Sequence, residues 1–337
     1  MFSGTSGPIF RTRSTGRVLE DAEKYTKAVE WRTIALDRGD VGVRVDRVLL
    51  RHLRDQKGVS RNRIQKWIDD GGVLINGRSA ARASWRVQAG DELRVRVSAI
   101  PVRAKPKPED IPVDVLYEDD DLLAVNKPAG IVVHPSFRNT TGTLMNGLLA
   151  RAQSWPPGCA PALLGRLDKL TSGLVLVTKR RAIYAQLQRA MAANRIDKDY
   201  FAIVHGRPPL KGTIDLALDR DPWDQRRVTV TDRGGQPSVT KYERLATVRA
   251  YSIVRCRLIT GRTHQIRVHL AAKGWPIVGD ATYGNIRLKS DATSFPRQAL
   301  HAWRLSFQHP RTNEVLAIEA PLPDDMRSLA AHLGLPA

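Results

Sequence analysis

The chain has 337 residues, with 54 lysines and arginines against 34 aspartates and glutamates, and so a formal net charge of +20. This positive balance is spread along the chain and favours a polyanionic partner, although a solvated basic surface is the plainer alternative. The apolar runs near Leu122 and Leu174 are short and soon meet Lys127 and Lys179. We therefore expect no contact with a membrane interior and no membrane-spanning segment.

The two cysteines, Cys159 and Cys256, lie far apart and lack the spacing of a zinc site or a disulfide framework. We expect reduced thiols in a cytoplasmic compartment. Residues 1–40 are predicted to form a basic N-terminal arm. Its first seventeen residues contain Arg11, Arg13 and Arg17 but no acid, so a mitochondrial presequence is the alternative in a eukaryotic source.

The composition changes at residues 99–112, which contain the stretch PVRAKPKPEDIP. Its prolines and alternating charges oppose helix formation and supply little material for a core. The sequence therefore predicts a linker here, with a small domain at residues 41–98 and a larger one at residues 113–337.

The small domain is predicted to contain two short helices and a β-ribbon. Apolar residues recur at helical spacing in VRVDRVLLRHL, and a second helix is expected from Ser60 to a glycine cap at Gly71. Asn76 and Gly77 are typical of a tight hairpin turn between strands. Basic residues occupy the outer face of both helices, and we expect the following to bind RNA phosphates: Arg44, Arg47, Arg61, Arg63 and Lys66. The stretch SRNRIQKWIDDGGVLINGR resembles an S4 RNA-binding domain.

The larger domain alternates apolar strands with a few helical runs, the clearest of which are residues 182–194 and 263–273. The pattern predicts an α+β fold built on an extended, mainly antiparallel sheet. Residues 219–237 read as a hairpin on which Arg226 and Arg227 are available to RNA, although a solvated hairpin fits equally well.

Two segments of this domain carry candidate catalytic residues. Asp168 lies in a loop just before the strand GLVLVTK, which is a common position for a catalytic side chain. Arg262 lies in LITGRTHQIRVHL at a turn before a helix, where a guanidinium can hold a carboxylate in a fixed pose. The strand KDYFAIVHG adds Tyr200, which could stack on a base or move a proton, and Lys198 on the same strand face, which we expect to bind RNA.

Five segments in order resemble the RluA-type pseudouridine synthases, which convert uridine in ribosomal or transfer RNA to pseudouridine. They are LLAVNKPAGIVVHPS, GRLDKLTSGLVLVTK, KDYFAIVHG, GRTHQIRVHLAAKGWPIVGDATYG and LHAWRLSFQHPRTNEVLAIEAPLP. The resemblance implies that Asp168 is the essential aspartate, that Tyr200 is the active-site tyrosine and that Arg262 pairs with the aspartate. It also implies that Arg166 contacts the flipped-out nucleotide. Gly165 departs from the histidine that many members carry there, which puts the subfamily and target in doubt.

The implied reaction moves the sugar from N1 to C5 of the base, with Asp168 acting at C1′ or at C2′. Neither route needs a redox step or an external nucleophile, so we expect no cofactor and no metal. The expected partner is RNA, with ribosomal RNA favoured over transfer RNA, and the expected state is a monomer. A non-catalytic S4-type RNA-binding or ribosome-assembly protein is the alternative. A metal-dependent nuclease would need clustered acids that the Asp168 and Arg262 segments lack.

Overall fold

The computed structural model describes residues 30–56, 58–97, 105–136, 139–284 and 295–336. The chain forms two compact units, Met1–Ala104 and Lys105–Ala337, so the division falls inside the predicted linker. The predicted arm up to residue 29 and the linker residues 99–104 lie outside the described residues.

The first unit packs two helices against a four-stranded antiparallel sheet with the order β1-β4-β2-β3. Its strands are β1 (Glu30–Ile34), β2 (Val73–Ile75), β3 (Arg78–Ser79) and β4 (Leu93–Val97), and its helices are α1 (Val45–His52) and α2 (Arg61–Asp69). The apolar stripes of both helices, including Leu49, Ile64 and Trp67, are buried in one core. The two predicted helices and the turn at Asn76 and Gly77 are confirmed, and both turn residues have positive φ angles.

The predicted N-terminal arm, residues 1–40, extends too far into the folded unit. Strand β1 pairs with β4 along its whole length, with Ile34 opposite Leu93, so these residues belong to the folded unit. The error has a physical cause: of its five residues EWRTI, only the last is an aliphatic core residue. A strand that gains its stability from pairing at the edge of a sheet leaves little hydrophobic pattern in the sequence.

The second unit is built on a ten-stranded, mainly antiparallel sheet. Its strands are β5 (Val115–Glu118), β6 (Leu122–Lys127), β7 (Ala162–Leu164), β8 (Ser172–Thr178), β9 (Ile196–His205), β10 (Lys211–Asp215), β13 (Val239–Val248), β14 (Tyr251–Leu258), β15 (Leu300–Gln308) and β16 (Val315–Glu319). Eight of them are hydrogen-bonded in the order β10-β13-β14-β9-β15-β8-β6-β5. In addition β7 pairs with β8 and β16 pairs with β15, and the pairing of β15 with β8 is parallel. The predicted α+β class is confirmed.

Four helices and a separate hairpin complete this unit. The helices are α3 (Leu144–Arg151), α4 (Arg181–Ala192), α5 (Gln265–Ala272) and α6 (Asp324–His332), and the two-stranded hairpin is formed by β11 (Leu218–Arg220) and β12 (Val228–Val230). None of the helices in the described ranges combines the length and the apolar character needed to cross a membrane.

Strand β8 is buried on both faces. Its Leu174 and Leu176 belong to a core with Leu187 of α4, whereas Val175 and Val177 belong to a core on the opposite face with α3. A strand covered on both sides has a continuous apolar sequence instead of an alternating one, as in GLVLV. The loop that precedes β8 is therefore fixed to the best-packed part of the sheet.

The described part of the predicted linker packs on the second unit. The backbone NH of Glu109 donates to the carbonyl of Asn146 at 3.1 Å, and the Asn146 side chain donates to the carbonyl of Lys107 at 2.8 Å. The Glu109 carboxylate accepts the backbone NH of Gly142 at 2.8 Å. Prolines keep this stretch out of helix and sheet, but they do not prevent it from docking through side-chain and carbonyl hydrogen bonds.

His301 makes the stability of the second unit dependent on pH. It is fully buried beside the Ser172 hydroxyl, and burial lowers its pKa from 6.5 to about 4. Between these values the unfolded chain binds more protons than the folded chain, so stability falls as the pH falls from about 6.5 towards 4. Relative to His301→Asn, the wild type should lose about 2 to 3 kcal/mol between about pH 7 and pH 4.5.

Urea unfolding of both proteins at the two pH values measures this difference. His332→Asn is the matched control, because His332 lies exposed at the end of α6. An equal loss of stability in the wild type and in His301→Asn would contradict the prediction.

Candidate active site

Asp168 lies on the loop between β7 and β8, at the edge of a deep cleft. Gly165 starts this loop with a φ angle of 98°, a conformation that glycine adopts readily, and a turn follows in which the Thr171 NH donates to the Asp168 carbonyl. The Asp168 side chain is 26% exposed, so it is reachable from the cleft while the protein covers most of it.

Side chains from distant parts of the second unit hold this loop in place. The last three loop residues, 169–171, and the first residue of β8, Ser172, each accept or share a hydrogen bond with one of them. The contacts are Lys127 Nζ to the Lys169 carbonyl at 3.2 Å, Arg297 Nη1 to the Leu170 carbonyl at 3.2 Å, Gln298 Nε2 to Thr171 Oγ1 at 3.1 Å, and His301 Nδ1 with Ser172 Oγ at 3.0 Å. Since side chains that are themselves packed fix it at four points, the loop is preorganised.

The parallel pairing of β8 and β15 needs a glycine near the start of β8. Gly173 has a φ angle of 109°, and a Cβ atom there would lie 2.2 Å from the carbonyl oxygen of Ala302. Ala302 of β15 also lies opposite Tyr200 of the neighbouring strand β9. The loop carrying Asp168 and the strand carrying Tyr200 are therefore two strand positions apart on one sheet.

Arg267 is the partner of Asp168. Its Nη1 donates to Asp168 Oδ2 at 2.9 Å, while its Nε and Nη2 bind both carboxylate oxygens of Asp280 at 2.7 and 2.9 Å. Arg267 is 6% exposed. Burial disfavours its charged form, but the two carboxylates outweigh burial and raise its pKa; the Arg267 guanidinium likewise keeps the pKa of Asp280 low despite burial.

The predicted pairing of Arg262 with Asp168 is wrong. Helix α5 begins at Gln265, not near 263, and His264 precedes it in a left-handed conformation with a φ angle of 55°. This extra corner leaves Arg262 exposed on the rim of the cleft and turns the first helical turn, with Arg267, towards Asp168. The Gln265 side chain fixes the corner by accepting the backbone NH of Arg262 at 3.0 Å.

His264 is a second neighbour of Asp168 that the sequence left without a definite role. Its Nε2 lies 3.8 Å from Asp168 Oδ1, and its Nδ1 lies 2.8 Å from the Tyr283 hydroxyl. The same hydroxyl accepts the backbone NH of Val228 at 2.9 Å. Burial lowers the pKa of His264 although Asp168 opposes this, so the imidazole is neutral at neutral pH. By contrast His269 is structural, since Thr240 and the Leu216 carbonyl bind it inside the core.

Tyr200 and Lys198 project into the same cleft from β9. Burial raises the pKa of Tyr200, and the nearby charge of Asp168 raises it further, so the phenol keeps its proton. Burial lowers the pKa of Lys198. The predicted strand geometry, with both side chains on one face, fits this arrangement.

The cleft has a volume of about 160 Å³ and is open to solvent at its mouth. An apolar floor faces a basic rim, and Arg166 is exposed on that rim. The lining side chains include Leu167, Leu174, Leu176, Met191, Ile266, Leu300 and Leu305 on the apolar side and Arg166, Lys198, Arg262, Arg267 and Arg304 on the basic side. A flat apolar base and a polyanionic backbone could both be accommodated here.

The five cations predicted to bind RNA in the first unit fall into two groups. Arg44 and Arg61 both bind the buried carboxylate of Asp46, at 3.0 and 3.3 Å. Although burial opposes it, these guanidiniums lower the pKa of Asp46. The others form no ion pair among the described residues: Arg47, Arg63 and Lys66. Only this second group is free to exchange its counterions for RNA phosphates.

Of the two hairpin cations, one is paired with a carboxylate and the other is not. Arg226 forms a bidentate pair with Asp224, with both distances 2.9 Å. Arg227 lies with its guanidinium 5.6 Å from the centre of the Tyr283 ring.

A possible cation cluster occurs in the first unit, but an arginine fills it. The ligand atoms of Asp37, Asp40 and His52 lie within 4.8 Å of one another. Arg51 Nη2 binds both carboxylates, at 2.7 and 2.6 Å. The guanidinium therefore neutralises the charge that would attract a cation.

Comparison with known proteins identifies both units. A family model described as RNA pseudouridylate synthase matches residues 121–272, and one described as S4 domain matches residues 43–93. Ribosomal large subunit pseudouridine synthase D of Neisseria meningitidis serogroup A is 39% identical over 303 residues, which are 88% of this chain and 80% of the relative. An uncharacterized RNA pseudouridine synthase of Bacillus subtilis, YlyB, is 42% identical over 281 residues, which are 81% of this chain and 89% of the relative.

The fold agrees with that of solved structures. Human RNA Pseudouridylate Synthase Domain Containing 4 aligns with a TM-score of 0.56 at 24% identity, over 66% of this chain and 94% of that chain. The second unit carries a fixed carboxylate in a cleft, and the first unit matches the S4 domain. The chain belongs to the RNA pseudouridine synthase family and is an isomerase. The alternative of a non-catalytic S4 protein is therefore wrong.

Replacing Arg262 and Arg267 separately tests which of the two arginines acts as the electrostatic partner of Asp168. Arg267→Ala should lower the rate constant for pseudouridine formation at least about 100-fold, because Asp168 loses its electrostatic partner. Arg262→Ala should leave that constant within about threefold and instead raise the RNA concentration for half-saturation. Single-turnover assays over a range of enzyme concentrations separate the two quantities.

Arg267→Ala also leaves two carboxylates unpaired, which can destabilise the fold by about 3 to 5 kcal/mol. Asp280→Asn is the control, since it weakens the anchor of Arg267 but keeps the pair with Asp168, and it should lower the rate constant less. A larger loss of rate in Arg262→Ala than in folded Arg267→Ala would contradict the assignment.

Proposed function

We propose that this enzyme isomerises specific uridines of large-subunit ribosomal RNA, with Asp168 as the reacting carboxylate. The observation that carries the proposal is the pair of Asp168 and buried Arg267 at the edge of a cleft lined by Tyr200. The ribosomal substrate is supported by relatives named ribosomal large subunit pseudouridine synthase D, the first of which is 39% identical.

The reaction breaks the C1′–N1 bond and forms a C1′–C5 bond, while the proton on C5 is lost and N1 gains one. An ionised carboxylate beside the sugar serves either proposed route, by attack at C1′ or by removal of the C2′ proton. Arg267 holds this carboxylate in a fixed orientation, because its guanidinium donates to Asp168 Oδ2 at 2.9 Å. The two routes place the same demand on this residue.

Tyr200 is suited to the detached base. Its raised pKa keeps the phenol protonated, so it can donate a hydrogen bond or stack without carrying a second negative charge beside Asp168. The apolar floor formed by Leu174, Leu176 and Leu300 can hold uracil out of water while it turns.

Binding of RNA by phosphate contacts would help to offset the cost of taking the target uridine out of its stack, a few kcal/mol. We expect such contacts from Arg166 and Lys198, which line the cleft, from Arg227 of the hairpin, and in the first unit from Arg47, Arg63 and Lys66. Action as a monomer on ribosomal RNA in the cytoplasm is part of the same proposal.

Mapping pseudouridine tests the function and its substrate together. RNA from cells that lack the protein is labelled with carbodiimide and reverse-transcribed, after complementation with wild type or with Asp168→Asn. Sites in large-subunit ribosomal RNA should return with the wild type only, because the amide cannot act as nucleophile or base. Sites that return in another RNA instead would overturn the ribosomal assignment, and full restoration by Asp168→Asn would overturn the role of the carboxylate.

The role of the first unit is tested by charge removal. The triple variant Arg47→Gln, Arg63→Gln, Lys66→Gln should weaken RNA binding and make the dependence of log K on log salt shallower by about 2 to 3, because three phosphate contacts are lost. A control triple, Arg78→Gln, Arg82→Gln, Lys273→Gln, removes the same charge from exposed positions elsewhere. Equal effects of the two triples would show that only net charge matters.

A further inference from the structure

The hairpin of β11 and β12 carries an aromatic side chain that the proposed chemistry does not use. Trp223, at its tip, is 95% exposed. No other large apolar side chain of the described residues is as exposed; Val315 follows at 78% and Leu210 at 63%. Exposing a whole indole to water is unfavourable, and tryptophan is enriched among the residues that contribute most to binding at interfaces.

The tip that presents Trp223 is an ordered turn. The Asp221 carboxylate accepts the backbone NH groups of Trp223 at 2.9 Å and Asp224 at 3.2 Å. The backbone NH of Arg227 donates to the Asp224 carbonyl at 2.8 Å and closes the loop. A side chain on a preformed turn loses little backbone freedom when it binds.

A short chain of contacts joins this hairpin to the catalytic carboxylate. The backbone of Val228 donates to the Tyr283 hydroxyl, which lies 2.8 Å from His264 Nδ1, and His264 Nε2 lies 3.8 Å from Asp168. Arg227 covers the face of the Tyr283 ring. RNA that places a uridine at Asp168 therefore has its neighbouring nucleotides within reach of the hairpin.

The surroundings of Trp223 fit a nucleotide better than a protein. Charged residues flank the indole on both sides in the sequence RDPWDQRR, so there is no apolar patch of the kind that protein partners cover. Arg227 forms no ion pair among the described residues and can meet a phosphate. An exposed aromatic face and a guanidinium without an ion pair, both carried by one hairpin, match the two parts of an unpaired nucleotide, its base and its backbone.

We propose that Trp223 stacks on an unpaired base of the RNA substrate beside the target uridine. The inference rests on the proposed function, because it deepens how that site binds RNA. Extrusion of the uridine removes a stacking partner from its neighbours, and the indole replaces that partner on one of them. Stacking is independent of sequence, so Trp223 would contribute affinity while the cleft selects the uridine.

Three variants test the stacking. Trp223→Ala should raise the half-saturating concentration of an unmodified large-subunit ribosomal RNA transcript about tenfold, whereas Trp223→Phe should stay within about threefold of wild type. The single-turnover rate constant at saturation should change less than about threefold in both. Leu210→Ala, which removes another exposed apolar side chain outside the hairpin, should have no effect on either quantity.

Salt dependence separates stacking from charge. Because an indole releases no counterions, Trp223→Ala should leave the slope of log K against log salt unchanged, whereas Arg227→Gln should make it shallower by about 1. The stacking is overturned if the wild type modifies the transcript and Trp223→Ala has the same half-saturating concentration as the wild type. It is also overturned if Trp223→Phe binds the transcript as weakly as Trp223→Ala. A wild type that does not modify the transcript would instead overturn the proposed substrate.

A second readout does not depend on the natural substrate. In an Asp168→Asn background, single-stranded oligouridylate should quench tryptophan fluorescence more in the protein with Trp223 than in Trp223→Phe, because stacking on a base quenches an indole. Equal fractional quenching in both proteins would overturn the proposal even if the natural RNA were a different one.

Discussion

The site depends on a single buried guanidinium shared by two carboxylates. Arg267 donates one hydrogen bond to Asp168 and two to Asp280. Asp280 also accepts the backbone NH groups of Thr282 and Tyr283. The three charges sum to one negative charge. Because Asp280 is the more deeply buried and takes the bidentate pairing, the remaining negative charge is exposed to the cleft on Asp168. Such an arrangement keeps the buried guanidinium paired while one carboxylate faces the cleft.

This arrangement requires that α5 and the loop before β8 keep their relative positions within a few tenths of an ångström. The sheet provides that constraint. Strand β8 is buried on both faces, β15 pairs in parallel with its first residues, and Gly173 lets the two backbones approach more closely than any side chain would permit. Arg297, which binds the loop carbonyl of Leu170, is anchored in turn by Asp325 of the last helix. The same contacts therefore stabilise the fold and orient the Asp168 carboxylate.

The sequence predicted the elements whose signals are local. Helical periodicity located α1, α2 and α4, the Asn76–Gly77 pair located a turn, and motif resemblance located Asp168 and Tyr200 in what the structure shows as one cleft. It failed on Arg262, because the choice between two arginines five residues apart depends on where α5 begins. That start is decided by a left-handed residue, His264, which no helix propensity indicates. The pairings of Arg44 and Arg61 were missed because a charge pattern does not reveal that Asp46 is buried.

The distribution of free and paired cations bears on how a protein of charge +20 can be selective. Of the nine cations expected to bind RNA, three are held in ion pairs, Arg44, Arg61 and Arg226, and their donors are already directed at carboxylates. Because the partner carboxylate offsets the charge of each of these arginines, they add little to the long-range attraction of RNA. In the proposed function the unpaired cations supply the phosphate contacts, and these carry no sequence information. The groups that would touch the base, the apolar floor of the cleft and Tyr200, meet the same uracil at every uridine, so they can distinguish uridine from other nucleotides but not one uridine from another. The choice among uridines therefore has to come from the shape of the folded RNA around the target, which the unpaired cations would bind.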